Sequence, residues 1–386
     1  MHRSLRPWAV LLALVAVVPL AAQTAAELPA ETIQKIEAVV RAEMERLKLP
    51  GLSLAIVVDN QLSYASAFGF ADLENSVRAN RDTAFRTASL AKALTATAVM
   101  QLGERGKLDP DAPVQKYCPA FPEKPWPVTA RQLLGHLGGI RHYRDGPEAR
   151  GTGHYATVVD ALALFKDDSL LHEPSTRFSY TTFGYSVLGC AIEGASGMRY
   201  EAYMREHIFG PAGMERTRSD DTYVVIPNRA RGYMRMTEEN ARFWPESYRR
   251  WMKAGEAYNA ELHDTSMKIP GGGLVSTAAD LVRFAIAVQS GSLIKRETLE
   301  QMWTVQRTRG GQETGWGLGW ILPREMAGER AIRVSGNQPG ASSALVIVPE
   351  KRFAVAAMAN LEGTDLYPLV TNIGKIWGHF PRNLEE

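Results

Sequence analysis

The sequence predicts an α/β protein of the α+β type. One antiparallel sheet is built from both ends of the chain and flanked by helices, with a mostly helical lobe inserted between. Three observations lead there. β-rich runs cluster near the two ends, at 52–58 and 62–70 and again at 331–335, 344–348 and 353–359. Between about 107 and 262, Pro and Gly punctuate short helical stretches with few convincing strands. The length of 386 residues exceeds what one core normally organises, roughly 250–300 residues, which favours two lobes. Strands segregated to the ends argue against a βαβ-repeating parallel sheet. The sheet lobe is expected over 27–85 and 263–386, and the helical lobe over 86–262.

Ahead of the first element, His2, Arg3 and Arg6 precede an apolar run from Trp8 to Leu20, followed by the small residues Ala21 and Ala22 and by Gln23. This is the layout of a secretory signal peptide, here 1–22, too short for a stable membrane span. The expectation is an exported protein, periplasmic or secreted, with no stable membrane span after cleavage. Residues 32–49 then place Ile33, Ile36, Val39, Val40, Met44 and Leu47 at helical spacing, and Pro50-Gly51 stops that helix. Asp59-Asn60 joins the first two strands as a hairpin. A helical pattern over 89–102 ends at Gly103 and Gly106. Another over 281–288 is capped by Thr277, with Asp280 three residues on approximating a capping box. The C-terminal strands lead to a closing helix over 366–377, with Pro368 tolerable in its first turn. The two cysteines are Cys118 and Cys190; Cys190 sits among Val187, Leu188, Ala191 and Ile192 and reads as a buried free thiol, a Cys118–Cys190 bridge being the alternative.

Composition and motifs exclude several functions. There are 44 Lys and Arg against 42 Asp and Glu, and the resulting +2 equals the contribution of Arg3 and Arg6. With no basic face or tail, no nucleic-acid partner is expected. No serine lies in G-x-S-x-G, so the α/β-hydrolase elbow is missing. His136, His142 and His154 lie in loops without metal-ligand spacing. The glycine-rich pieces at 271–273 and 315–319 lack a Walker lysine and a G-x-G-x-x-G pattern. No metal and no cofactor are expected.

Ser89-Leu90-Ala91-Lys92 is the strongest remaining element. Positions three apart share a helix face, so the Lys92 amine can reach the Ser89 hydroxyl. A serine hydroxyl is a poor nucleophile until a base takes its proton, and a desolvated amine can be that base. A helix start also turns backbone N–H groups toward a developing oxyanion. Tyr180, among four aromatics in eight residues, can pass protons beside such a pair or simply pack in a core. Free Tyr and Lys both titrate near pH 10, so making either a base at neutral pH takes about three units from the surroundings. Ser335-Gly336-Asn337 ends a C-terminal strand; Gly336 would let a substrate lie against the strand edge, and a backbone N–H there could complete an oxyanion hole.

Together these residues resemble the serine β-lactamase and D,D-peptidase superfamily, most of all its class C branch with related esterases. Segments 133–140 (LLGHLGGI) and 271–281 (GGGLVSTAADL) are similar to further signatures of that family, as are Gly317-Leu318-Gly319-Trp320 and Pro339-Gly340-Ala341-Ser342-Ser343. Ile140-Arg141-His142-Tyr143 and Met302-Trp303-Thr304 look like a mitochondrial, filament-forming branch. The resemblance spans about 32–378. It implies a β-lactamase/transpeptidase-like fold in which both lobes make one catalytic domain. It also implies that Ser89 is the acylated nucleophile, Lys92 the amine beside it and Tyr180 the partner acid/base. The N–H groups of Ser89 and Asn337 would form the oxyanion hole, with Thr182, Ser335 and Gly336 along the substrate. Whether Lys92 or Tyr180 accepts the proton is left open, as is assembly into a homo-oligomer or filament.

Two departures shape the expected function. The family's Tyr-x-Asn ends here in Thr182, which has no amide to offer a substrate carbonyl. Its third motif normally begins with Lys or His, and that position is Val334; Arg333 beside it points to the opposite strand face. A cation there would hold a substrate carboxylate through a bond worth about 1.5–3 kcal/mol. The expectation is an exported serine hydrolase for a small-molecule or peptide substrate, an ester or peptide-like amide, with weak β-lactam turnover. The alternatives are a D,D-peptidase or β-lactamase proper, a penicillin-binding sensor that does not turn over, and a filament-forming structural protein.

Overall fold

Asp59 and Asn60 both adopt left-handed backbone, with φ of 51° and 59°, and this tight turn pairs the first two strands as the sequence predicts. The computed structural model describes residues 28–144, 147–241, 246–326 and 328–378. The expected leader at 1–22 lies outside the described residues. Helix α1 (Ala30–Leu47) is followed by β1 (Gly51–Val58), β2 (Gln61–Asp72) and the short β3 (Val77–Arg78). The C-terminal part supplies β4 (Ile321–Met326), β5 (Glu329–Gln338), β6 (Ala341–Val348) and β7 (Phe353–Ala359). All seven form one antiparallel sheet in the order β3-β2-β1-β7-β6-β5-β4, so the chain's two ends meet where β1 pairs β7. Strand β4 is not expected from the sequence; Pro323 within it weakens the strand pattern, and β4 lies at the sheet edge, where proline is tolerated.

Alternation assigns the two faces. Leu52, Leu54 and Ile56 of β1 and Phe353, Val355 and Ala357 of β7 point outward to α1 and to the closing helix, Tyr367–Gly378. Each such side chain, once buried, contributes on the order of 1.5–3 kcal/mol. Ala55, Val57, Ala354, Ala356 and Met358 point inward, toward the helical lobe. The lobe is centred on two helices, α2 (Ala91–Glu104) and α3 (Phe183–Ser196), with α4 (Ala278–Gln289) lying between it and the sheet. Residues 91–102 of α2 are all buried, as expected for a helix of small and apolar residues on every side. Thr277 caps α4 as predicted, its hydroxyl accepting the Asp280 N–H at 3.1 Å. Asp280 does not reach back to close a capping box. Its buried carboxylate instead accepts the Arg216 N–H at 2.8 Å and the Thr217 hydroxyl at 3.0 Å.

The reading of Cys190 as a free thiol is corrected. Cys118 and Cys190 are disulfide-bonded, 72 residues apart in sequence with Cα atoms 5.3 Å apart. The apolar pattern around Cys190 correctly buried it, but α3 packs directly on the turn at 114–118, which brings the second sulfur to the same place. No helix of the described residues is long and apolar enough to cross a membrane.

Candidate active site

Ser89 lies in the one-turn 3-10 helix Ala88–Leu90 that leads into α2. Ala88 adopts a φ of 48°, unusual for a residue with a Cβ and costing on the order of 1–3 kcal/mol. The turn is held from both sides. Thr87 donates its N–H to Leu274 O at 2.9 Å, and Ser343 donates its hydroxyl to Thr87 O at 2.6 Å. Strand β5 packs against the same turn at Gly336. A Cβ there would fall 2.7 Å from Ser89 N and 2.8 Å from Ala88 Cβ. The glycine is required for a reason the sequence does not show: it admits the turn that carries Ser89.

Within α2, Lys92 is fully buried and its amine has three neighbours. They are Ser89 Oγ at 3.2 Å, Thr182 Oγ1 at 3.0 Å and the Gly271 carbonyl at 2.6 Å. Burial alone drives its pKa well below the usual lysine range. Tyr180 donates its hydroxyl to Ser89 Oγ at 2.7 Å, and burial raises its pKa. Ser89, Lys92, Tyr180 and Thr182 are therefore brought together. Ser335, Gly336 and Asn337 line the same cavity of about 590 Å³ as Ser89, Tyr180 and Thr182. The Asn337 side chain is turned away to accept the Gly363 N–H at 3.0 Å. Val334 is 1% exposed and packs in the inner core beside Ile332 and Leu345. Arg333, on the opposite face as expected, stacks 4.4 Å over the Tyr367 ring.

Two histidines set aside in the sequence hold the Tyr180 segment. His136 Nδ1 accepts the Thr181 N–H and His142 Nδ1 accepts the Thr182 N–H, each at 3.2 Å. The His136 ring also lies 4.5 Å from that of Tyr180. Both imidazoles are kept neutral, first by burial and then by Lys92, with His142 lowered to about 4. His142 also lines the cavity, and the signal for His136 is the resemblance of segment 133–140. Lys268, Tyr143 and Trp316 also line the cavity. Nothing in the spacing around Lys268 announced it.

A nucleophile turn where an all-antiparallel sheet meets a helical lobe, with a buried amine and a tyrosine on one serine oxygen, defines a serine hydrolase. The chain belongs to the Beta-lactamase family, whose pattern it matches over residues 36–373. It is 29% identical over 395 residues to the mitochondrial serine beta-lactamase-like protein LACTB of Homo sapiens, covering 78% of this chain and 69% of that protein. Among solved structures, it is similar to the octameric penicillin-binding protein homologue from Pyrococcus abyssi. The TM-score is 0.71 and the identity 27%, over 88% of this chain and 76% of that one. The D-amino acid amidase from Ochrobactrum anthropi shares the fold with a TM-score of 0.76 at 22% identity, over 90% and 98% of the two chains.

Proposed function

We propose that the protein hydrolyses esters or peptide-like amides through an acyl-enzyme on Ser89, with weak β-lactam turnover. The observation that carries this is the contact of Ser89 Oγ with both Lys92 Nζ and Tyr180 OH at the cavity floor. A neutral amine has two N–H bonds and one lone pair. Gly271 O and Thr182 Oγ1 take the two N–H bonds, which leaves the lone pair of Lys92 for the Ser89 proton. Ser89 Oγ then attacks the carbonyl carbon, and the oxyanion is received by the N–H groups of Ser89 and Asn337. As the bond to the leaving group breaks, Tyr180, kept protonated by burial, supplies the proton and is reprotonated by the Lys92 ammonium across the Ser89 oxygen that both contact, which restores the neutral amine. Water releases the acyl group in the second half. Thr182, expected along the substrate, serves chiefly to orient the Lys92 amine.

The substrate class is supported by Val334, which leaves position 334 with no cation for a β-lactam carboxylate. The amidase that shares the fold is consistent with amide substrates. Export to an oxidising compartment is supported by the Cys118–Cys190 bridge and the leader-like 1–22. Self-association is supported by the octameric archaeal relative, and light scattering checks it. Fluorophosphonate labelling with an acyl-ester and peptide panel tests the activity. Wild type should label and turn over short esters faster than a chromogenic cephalosporin, and Ser89→Ala should do neither. A cephalosporin rate near the diffusion ceiling with no ester hydrolysis would reverse the substrate ranking. Labelling without turnover would instead mark a sensor.

A further inference from the structure

Two polar side chains lining the active-site cavity have no hydrogen-bond partner among the described residues. Lys268 ends the one-turn segment Ser266–Lys268, is 4% exposed and lines the cavity. Its amine has no hydrogen bond or ion pair among the described residues and lies 5.4 Å from the centre of the Tyr143 ring. Gln338, the last residue of β5, is 7% exposed and lines the same cavity. Neither its Nε2 nor its Oε1 is satisfied. The two segments are tied together by Arg86, which donates to Pro339 O and to His263 O, both at 3.1 Å.

Buried acids that could neutralise Lys268 are already taken. Asp220 is ion-paired to Arg86 at 2.7 Å and to Arg229 at 3.2 Å. Asp365 is the one carboxylate lining the cavity among the described residues; it is exposed at the mouth, with Oδ1 accepting the Tyr367 N–H at 2.9 Å. Burial, then Arg86 and Lys92, lowers the Lys268 pKa to about 7. An uncompensated buried ammonium is strongly unfavourable, and an open amide beside the same cavity adds to that penalty. Both costs are relieved together by one ligand group, a carboxylate, which accepts hydrogen bonds from an ammonium and from an amide N–H.

We propose that Lys268 and Gln338 form an anion subsite that receives a carboxylate of the substrate. The inference rests on the acyl-enzyme reading of Ser89 and narrows its substrates to carboxylate-bearing esters or amides. Lys268 lies on a different element from strand position 334, the turn preceding Pro270, so the carboxylate it takes is placed differently from the one a cation at 334 would hold. Lys268 is a specificity-determining residue here, with no part in proton transfer.

Two matched ester pairs test it at pH 6: 4-nitrophenyl hydrogen glutarate with its methyl ester, and 3-carboxyphenyl acetate with its methyl ester. They place the charge on the acyl and leaving-group sides respectively. For one pair, the acid-to-methyl-ester ratio of kcat/KM should fall about ten- to a hundredfold in Lys268→Met. It should fall less in Gln338→Met and largely recover in Lys268→Arg. Calorimetry of wild type with glutarate and with glutaramide, neither of which requires turnover, gives an independent readout. Glutarate should be preferred, and Lys268→Met should abolish that preference. Loss of the preference together with an unlabelled Ser89 would sink the acylation reading and keep the subsite. Ratios unchanged in both pairs, with no glutarate preference in labelled wild type, would overturn the subsite alone. Should Lys268→Met fail to fold, Gln338→Met and Lys268→Arg carry the same comparison.

Discussion

On the outer face of the sheet, Leu52, Leu54, Ile56, Phe353 and Val355 meet Ile36 and Val40 of α1 and Leu369, Val370 and Ile373 of the closing helix. The contacts are aliphatic and aromatic. On the inner face the strands meet α4, and the apolar core that continues into α2 and α3 surrounds Lys92, Lys268, His136 and Gln338, all buried. Both faces are buried, but of these residues only those on the inner face carry groups that would be better solvated in water. Burial of the outer face lowers the folding free energy directly. Burial of the inner polar groups works against it and shifts their proton affinities, which is what the chemistry needs. Substitutions on the two faces should therefore separate activity from stability.

The largest effects belong to the inner face. Ser89→Ala should lower ester turnover about a thousandfold or more while Tm holds. Lys92→Met should lose comparable activity with Tm held or raised, because it removes an amine that burial penalises. A fall in Tm with retained turnover in Lys92→Met would dissolve the contrast between the faces. The pH profile carries the same point. Lys92 acts neutral, so kcat/KM should fall as pH drops through its folded-state pKa, which lies well below 10.5. A limb owed to His142 would sit near 4 instead, and His142→Asn should leave the observed limb in place. In stability the sign is the same: below the unfolded lysine pKa the unfolded chain binds the extra proton, so falling pH disfavours the fold. Gly336→Ala sits on the boundary. Its methyl must displace the Ser89 turn, so we expect about a hundredfold loss of turnover and about 1–3 kcal/mol of stability.

The outer face and its strands could be read from the sequence because their causes are local. Alternation in β1 and β7, helical spacing in α1, and Asp59-Asn60 at the turn each need only neighbouring residues. Ser89 and Lys92 were visible for the same reason, being three apart on one turn. Tyr180 and Gly336 were visible only through resemblance, since spacing alone allowed a core aromatic and an ordinary strand end. Lys268 is not visible, and the disulfide stands in the sequence only as the alternative to a free thiol. A lysine two residues before a proline looks solvated, and its burial follows from where Arg86 and the cavity wall close around it. The disulfide depended on α3 packing against a turn 72 residues earlier, a long-range contact that no local pattern encodes.

Leu369→Ala tests the outer face, where the side chain is fully buried between the closing helix and the sheet. Removing it should cost about 2–5 kcal/mol, read from denaturant unfolding, and leave kcat/KM at the wild-type value. An altered kcat/KM would mean that the outer face positions the site after all. Thr277→Ala makes the smallest and finest test, because α4 packs on the inner face and starts just after the strand that holds the Ser89 turn. The hydroxyl satisfies one N–H at the helix start, and its loss should cost about 1 kcal/mol. Asp280 stays anchored to Arg216 and Thr217, so the helix should fray at its first turn without shifting. Leu274, three residues upstream, accepts the Thr87 N–H that holds the nucleophile turn. If fraying reaches Leu274, turnover falls along with stability; if it stops at Thr277, stability alone falls. We expect the second outcome, since residues 274–276 are independently paired to Phe85–Arg86 and Arg218–Ser219.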